Sequence, residues 1–272
     1  MMVRALALLL LVLTALPAWA APKADLWQRW TAHDPASALE IDHGDWDDFL
    51  KRHRVSGADD IARFDYGRAR AERGALDLYL GGLAMVPVSR LNRNEQRAFW
   101  INLYNALTIR TVLSRYPVDS IRDIGISPGF FTRGPLGARL IRIEGEEISL
   151  DDIEHRILRP IWRDPRIHYA VNCASLGCPD LPPAAFTAGN TEALLEAGAR
   201  AYVNHPRGAE VKDGGLTVSS IYDWFKEDFG GTDAGVIAHL RQYADGALTD
   251  ALAGITRISD DRYDWALNDA KR

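Results

Sequence analysis

Residues 94–113 read NEQRAFWINLYNALTIRTVL, and this stretch determines how the rest of the chain is interpreted. Its middle is apolar almost all round, which is typical of a helix buried at the centre of a domain. Asn94 is the predicted N-cap, and Glu95 suits the positive end of the helix dipole. The Tyr116-Pro117 step ends the stretch, because the residue before a proline disfavours the helical conformation. The sequence therefore predicts a long central helix.

Around this helix, predicted helical segments outnumber strands. An apolar stripe with helical spacing begins at Ser149, and another covers residues 191–203. Ser149 and Asp152 have the spacing of a capping box, although the box prefers Glu or Gln at the second position of the pair. Alternating apolar and polar residues predict a strand over residues 166–173. Because the strands are few and scattered, we expect a single α+β domain whose central buried helix packs against a small, mostly antiparallel sheet. Residues 90–272 form its predicted core, and residues 21–89 are a helical N-terminal lead of the same domain.

Residues 1–20 have the pattern of a secretory signal peptide. One basic residue, Arg4, precedes an apolar run, and Ala18-Trp19-Ala20 has the small-residue pattern of a cleavage site. An uncleaved anchor is the alternative, although the run is shorter than the roughly 20 residues of a comfortable span. We expect an exported protein, in the periplasm or outside the cell, without stable membrane insertion after cleavage.

The composition excludes several classes of protein. The chain has 272 residues, of which 47% are hydrophobic and 25% charged, as in ordinary globular proteins. A formal net charge of -5 provides no overall basic field to attract nucleic acid. Two cysteines are too few for a disulfide-dense scaffold or a four-thiolate zinc site. The phosphate-loop, dinucleotide-binding and zinc-protease motifs are missing from the sequence, so we expect neither a cofactor nor a metal ion.

Both cysteines lie in residues 172–179, NCASLGCP. Cys173 ends the predicted strand and enters a tight loop, which is where nucleophiles are often placed. Asn172 and the loop amides are candidate oxyanion donors, and Ser175 is a candidate substrate-binding residue. A disulfide between Cys173 and Cys178 is the main alternative in an exported chain, although so small a loop gains little stability from one. Two inert thiols or a redox pair are further alternatives.

Ionisable residues cluster on the helix that begins at Ser149. Asp151 and His155 are four residues apart, so the carboxylate can orient the imidazole. Glu154 lies on the apolar stripe, where a charge is costly without a partner, and a buried ion pair is its alternative role. His155 is therefore the candidate base for Cys173. On the predicted strand His168 faces away from Cys173, so we expect it to shape the opposite wall of the site.

Asn102 and Asn105 share one face of the central helix. Buried amides need hydrogen-bond partners, so these two side chains either tie the helix to loop backbone or support a neighbouring site. Both are candidate substrate-binding residues on the second interpretation.

Four blocks of sequence resemble the family called domain of unknown function 547. They are AFWINLYNALT (98–108), LDDIEHRILR (150–159), RIHYAVNCAS (166–175) with Cys178-Pro179, and IYDWF (221–225) with Asp228-Phe229. The Tyr263-Asp264-Trp265 ending is also similar. The resemblance implies a remote relationship to papain-like and transglutaminase-like thiol folds. Those folds place the nucleophilic cysteine at the start of the central helix, where this chain has none, and the resemblance carries over Glu154, His155, His168 and Cys173.

These observations predict an exported, thiol-dependent hydrolase or acyl-transfer enzyme. Cys173 would attack a carbonyl group of an unidentified small-molecule or peptide substrate, with His155 as general base and Glu154 or Asp151 orienting the imidazole. The alternative is a non-catalytic exported binding or scaffold domain in which Cys173 and Cys178 form a disulfide.

Overall fold

The structure is a computed structural model that describes residues 22–129 and 134–271. The predicted signal peptide, residues 1–20, lies outside the described residues. Within the two described ranges, no helix combines the length and the apolar character needed to cross a membrane.

The central helix is confirmed as α4, Arg93–Leu113, and nearly all of its side chains are buried. It begins one residue earlier than predicted, because the side chain of Asn92, not Asn94, accepts the backbone N–H groups of Asn94 and Glu95. Helices surround α4 on several sides. The other α-helices of the described residues are α1 Gly44–His53, α2 Tyr66–Ala69, α3 Arg73–Ala84, α5 Arg159–Trp162, α6 Thr191–Val203, α7 Ile221–Trp224, α8 Asp233–Tyr243 and α9 Gly246–Leu252.

The α+β class is confirmed, and the pairing of the strands is mostly antiparallel. In the described part of the chain the strands form three small sheets at the periphery of the helices, not one sheet beneath α4. Their bounds are β1 Arg54–Ser56, β2 Ala62–Phe64, β3 Ile141–Ile143, β4 Glu146–Ile148, β5 Ala209–Lys212, β6 Gly215–Ser219 and β7 Asp260–Arg262. Antiparallel pairs are β1–β2, β3–β4 and β5–β6, and β7 joins β6 in parallel.

The predicted strand over residues 166–173 is wrong. Residues Pro165–Tyr169 form a 3₁₀ helix, whose first turn is capped by the Asp164 carboxylate, which accepts the N–H of Arg166 at 2.9 Å. The side chains of residues 167–172 are all buried, the polar ones as well as the apolar ones. The alternation in the sequence therefore does not mark one face toward solvent and one toward the core. The prediction that His168 faces away from Cys173 depended on that strand and loses its basis; both residues line the same cavity.

The helix predicted at Ser149 is present, and its first turn has the expected reciprocal cap. The Ser149 N–H donates to Asp152 at 3.0 Å, and the Asp152 N–H donates to the Ser149 hydroxyl at 3.0 Å. Beyond this turn the helix widens to a π-helix over Asp152–Leu158 before α5 completes it.

Two clusters of buried apolar residues make up the core. The larger surrounds α4 and includes residues of the predicted N-terminal lead, such as Trp30 and Trp46. The smaller lies among α6, α8 and the sheet of β5, β6 and β7. A cavity lies between them, with Tyr104 and Val171 from the first cluster on one side and Phe225 of the second on the other.

Candidate functional site

The cavity has a volume of about 390 Å³ and contains the five residues that the sequence proposed as catalytic. Cavities of a few hundred Å³ are the usual size for small-molecule sites. Its polar lining includes Asp151, Glu154, His155, His168 and Cys173. Its apolar lining includes Tyr104, Leu136, Val171, Ile221, Trp224, Phe225, Tyr263 and Trp265.

The π-helix determines how the first three polar residues reach the cavity. The N–H of Arg159 donates to the carbonyl of Glu154, five residues earlier, where an α-helix would use the residue four earlier. A π-turn carries extra residues per turn and is found mostly at functional sites. Here Asp151, Glu154 and His155 all line the cavity.

Glu154, His168 and Asp228 form a buried chain of charges. His168 Nε2 lies 2.7 Å from Asp228 Oδ2, and Nδ1 lies 3.6 Å from Glu154 Oε1. Burial lowers the pKa of His168, but the two carboxylates outweigh it and raise the pKa above its ordinary value. Burial raises the pKa of Glu154, yet the neighbouring histidines and Arg159 hold it at about 2. The raised pKa favours the imidazolium form of His168, which lies between the two carboxylates and stacks on the Phe225 ring at a centroid distance of 4.5 Å.

Arg159 determines the state of His155. A guanidinium has only donors, so the 3.0 Å contact from Arg159 Nη1 makes Nδ1 of His155 an acceptor and leaves the ring proton on Nε2. Burial lowers the pKa of His155 to about 4, and the positive charge of Arg159 acts in the same direction. His155 is thus a neutral imidazole with a donor at Nε2, which lies 3.9 Å from Asp151 Oδ1.

Asp151 is the carboxyl group of the cavity that titrates nearest to neutral pH. Burial and the negative charges of Glu154 and Asp152 raise the pKa of Asp151 to about 6. Because its side chain is also partly exposed, Asp151 can exchange protons with solvent and with groups in the cavity.

Cys173 is half-buried, and hydroxyl groups surround its sulfur. The hydroxyls of Tyr263 and Ser175 lie 3.0 Å and 3.2 Å from Sγ, and they lie 2.8 Å from each other. A hydrogen bond from the Cys178 thiol, with those of Ser175 and Tyr263, lowers the pKa of Cys173 against the effect of burial. The next residue, Ala174, is buried with φ 62°, a left-handed conformation that is strained for alanine.

Both cysteines are free thiols in the structure, and they are neighbours. The backbone N–H of Cys173 donates to Cys178 Sγ at 3.0 Å. Burial raises the pKa of Cys178 well above its ordinary value, so the two thiols differ in character.

The C-terminal segment holds Tyr263 against the cysteine loop. The N–H groups of Leu176 and Gly177 donate to the carbonyls of Ala266 and Asp264, both at 2.8 Å. A side chain at position 177 would place its Cβ 2.7 Å from the Asp264 nitrogen, so this close approach requires glycine.

The four predicted substrate-binding residues do not line the cavity. Asn102 pairs with the backbone of Phe186 through both halves of its amide, at 2.7 and 2.9 Å. Asn105 donates to the Ala170 carbonyl at 2.8 Å and accepts the N–H of Asn172 at 2.8 Å. Of the two alternatives for these amides, tying α4 to loop backbone is the one that the contacts match.

Asn172 and Ser175 have other partners. The Asn172 side chain donates to the Pro179 carbonyl at 2.6 Å and accepts the N–H of Ala174 at 2.9 Å, so it braces the loop. Ser175 contacts the Cys173 sulfur from behind the cavity wall.

Several residues of the site were not predicted from the sequence. They are Arg159, Asp228, Tyr263 and the aromatic walls Trp224, Phe225 and Trp265. A signal was present, because each lies inside or next to a block that resembles the family. Only the fold shows that these blocks meet at one cavity.

No group of three or more His, Cys, Asp or Glu side chains in the described ranges is arranged to hold a metal ion. The donors of the cavity are instead engaged with one another and with Arg159.

Comparison with known proteins identifies one family. Neither the curated proteins nor the solved structures contain a match to the chain. Residues 88–203 match the family described as "Protein of unknown function, DUF547". The match runs from just before α4, through the π-helix and both cysteines, to the end of α6. The resemblance seen in the sequence is therefore confirmed over residues 88–203, where the chain matches the model of the DUF547 family.

Proposed function

We propose that the chain is a thiol-dependent hydrolase or acyl-transfer enzyme with Cys173 as its nucleophile. One observation carries the proposal: Cys173 lines the cavity, and the hydroxyls of Tyr263 and Ser175 lie within 3.2 Å of its sulfur. When the thiol loses its proton, Tyr263 can donate to the sulfur while Ser175 donates to Tyr263. Such donors stabilise a thiolate, which is the nucleophilic form of cysteine.

In the proposed reaction, the thiolate of Cys173 attacks the carbonyl carbon of an ester, amide or thioester. The leaving group departs with a proton, and a thioester forms between the acyl group and Sγ. Water or an amine then attacks this thioester and releases the thiolate. Asp151 is the proposed proton carrier, because the pKa of about 6 lets its carboxyl group give and take a proton near neutral pH.

The proposal gives His155 a different part from the base predicted from the sequence. With Arg159 on Nδ1, the ring has its proton on Nε2. A neutral imidazole donor in a cavity can stabilise the oxyanion of a tetrahedral intermediate, as backbone N–H groups do in other acyl-transfer sites. In this arrangement the ion pair of His168 with Glu154 fixes the charged groups next to the His155 ring.

Alkylation of the reduced protein by iodoacetamide tests the nucleophile. Cys173 should react faster than Cys178, with a rate that rises through a pH midpoint below about 8.5. Slow, equal labelling of the two thiols contradicts the proposal. A screen of ester, amide and isopeptide substrates should give turnover that Cys173→Ala abolishes and that Cys178→Ala retains at a reduced rate.

The contact between the two cysteines favours a second candidate. Because the Cys173 N–H touches Cys178 Sγ, the sulfurs are close, and a disulfide in a non-catalytic binding or scaffold domain is the rival function. Intact mass without and with a reductant separates the two. A mass deficit of two hydrogens in the unreduced protein, together with no activity after reduction, favours the rival.

We also propose that the protein is exported to the periplasm or the cell exterior. Support comes from the sequence of residues 1–20 alone. N-terminal sequencing of the protein from cell fractions tests this, since an N-terminus at Ala21 or Pro22 is expected.

A further inference from the structure

A short segment, residues 22–27, lies along the helix that begins at Ser149 and carries Asp151, Glu154 and His155, which we call the site helix. The N–H of Asp25 donates to the carbonyl of His155 at 2.9 Å, and the N–H of Trp27 donates to the carbonyl of Arg156 at 3.0 Å. Pro160 explains why these carbonyls are available. It follows His155 by five residues and Arg156 by four, and proline has no N–H to donate in either the π or the α register.

The same segment also reaches the guanidinium that sets the state of His155. Arg159 Nη1 donates to the carbonyl of Pro22 at 2.8 Å and to His155 Nδ1 at 3.0 Å, while its Nε donates to Asp228 at 2.6 Å. A guanidinium is a rigid planar fork. Once Asp228 and Pro22 hold two of its N–H directions, the third N–H is aimed at the imidazole.

We propose that residues 22–27 are a positioning segment of the site, which holds Arg159 on Nδ1 of His155 and thereby keeps the imidazole proton on Nε2. The inference rests on the proposed function, in which the N–H donor at Nε2 of His155 stabilises the oxyanion and therefore has to be fixed. Pro22 itself lines the cavity, so the segment is part of the site and not a distant brace.

The charged groups that face His155 come from three elements: the π-helix and its flanks, the 3₁₀ helix Pro165–Tyr169 that carries His168, and the 3₁₀ helix Lys226–Phe229 that carries Asp228. Glu154 lies 4.0 Å from Nδ1, and Asp151 lies 3.9 Å from Nε2. His168 and Asp228 add opposing charges at longer range. None of these groups belongs to residues 22–27. Release of the segment therefore changes the hold on Arg159, the covering of His155 and the contacts of Arg156 with Asp25 and Trp27.

Histidine ring nitrogens of the ¹⁵N-labelled protein, followed by NMR against pH, measure this state directly. In the unaltered chain, His155 should be the Nε2–H tautomer. Asp25→Pro removes the amide that docks on His155 and should release the segment. We then expect mixed tautomers and a rise in the pKa of His155 from about 4 toward the ordinary value of about 6.5. Leu26→Pro is the matched control, since the neighbouring residue is exposed and its N–H makes no hydrogen bond to a described residue.

Deletion of residues 22–25 is a second variant, which removes the Pro22 carbonyl and the Asp25 amide without adding a proline. It should change His155 in the same direction. Faster exchange of the Trp27 amide in Asp25→Pro reports release of the segment. Release with an unchanged His155 tautomer and pKa overturns the inference. Labelling of Cys173 is scored separately, so failure of the nucleophile and failure of the positioning segment are distinguishable.

Discussion

Arg159 Nη1 lies 3.0 Å from His155 Nδ1, and this contact decides which nitrogen of the imidazole carries the proton. It turns a histidine that the sequence indicated as a base into a hydrogen-bond donor toward the cavity. Arg159 is buried. Its Nε lies 2.6 Å from Asp228 Oδ2, and its guanidinium carbon lies 4.6 Å from the centre of the Phe225 ring. The Arg159 side chain therefore takes part in the ion pairs of the site and also sets the tautomer of His155.

Replacing Arg159 by methionine should lower the free energy of unfolding by about 3 kcal/mol, because His168 is then left to balance the charges of two carboxylates, Asp228 and Glu154, in a buried network. Urea unfolding followed by circular dichroism measures it. Arg142→Met is the matched control. Its ion pair with Glu147 is exposed, so a loss below about 1 kcal/mol is expected. Equal losses in the two variants would show that Arg159 has no special part in the fold.

Tyr263→Phe should slow the alkylation of Cys173 near pH 7 by about tenfold. A hydrogen bond to a charged group contributes about 1.5–3 kcal/mol, and this variant removes the hydroxyl 3.0 Å from the sulfur. Its removal raises the pKa of Cys173 and lowers the thiolate fraction. Tyr104→Phe is the control, since Tyr104 lines the same cavity without a hydrogen bond to the sulfur. The role given to Tyr263 fails when both variants react at the rate of the unaltered protein.

The depressed pKa of His155 predicts a specific pH dependence of stability. Above about pH 6.5 the imidazole is neutral in both folded and unfolded protein, so no penalty arises. Between pH 6.5 and about pH 4 the unfolded chain takes up a proton that the folded chain refuses. The free energy of unfolding therefore falls as the pH falls, by up to about 1.4 kcal/mol per pH unit.

Comparison with His155→Gln isolates this contribution, since the other titrating groups are common to both proteins. Urea midpoints from pH 4.5 to pH 7.5 should fall more steeply with acid in the unaltered protein than in the variant. Parallel curves would mean that His155 has an ordinary pKa in the folded state.

Asn105→Ala should destabilise the fold by about 3 kcal/mol. The variant leaves the Ala170 carbonyl and the Asn172 N–H without partners in the core, and each unsatisfied buried group costs about 1–3 kcal/mol. Thr108→Val, one turn along the same helix, is the control, because the Thr108 hydroxyl is buried and unpaired. We expect it to be neutral or stabilising. Thermal unfolding measures both variants. A lower unfolding temperature for Thr108→Val than for Asn105→Ala would contradict this interpretation of α4.

The sequence predicted some features closely. Helix α4 was found from its continuous apolar character, and the turn at Ser149 from its Ser and Asp spacing. The division into a lead over residues 21–89 and a core over residues 90–272 stays a prediction. The strand over residues 166–173 was wrong because Asn105 supplies partners to the backbone of Ala170 and Asn172, where a strand would need a neighbouring strand. A residue on a distant helix carries no signal in the local pattern.

By itself, the sequence determined the α+β class, the buried central helix, the resemblance to the DUF547 family and the five polar residues that line the cavity, because these depend on local pattern and residue chemistry. Only the tertiary structure decided what those residues do to one another. His168 lies between Glu154 and Asp228, which belong to segments far apart in the chain. Arg159 contacts His155 four residues earlier on the same helix, but the residues that position Arg159, Asp228 and Pro22, are distant in the chain. Charges and hydrogen bonds act over a few ångströms in space, whatever the separation along the chain, so the protonation state of each group follows from the fold.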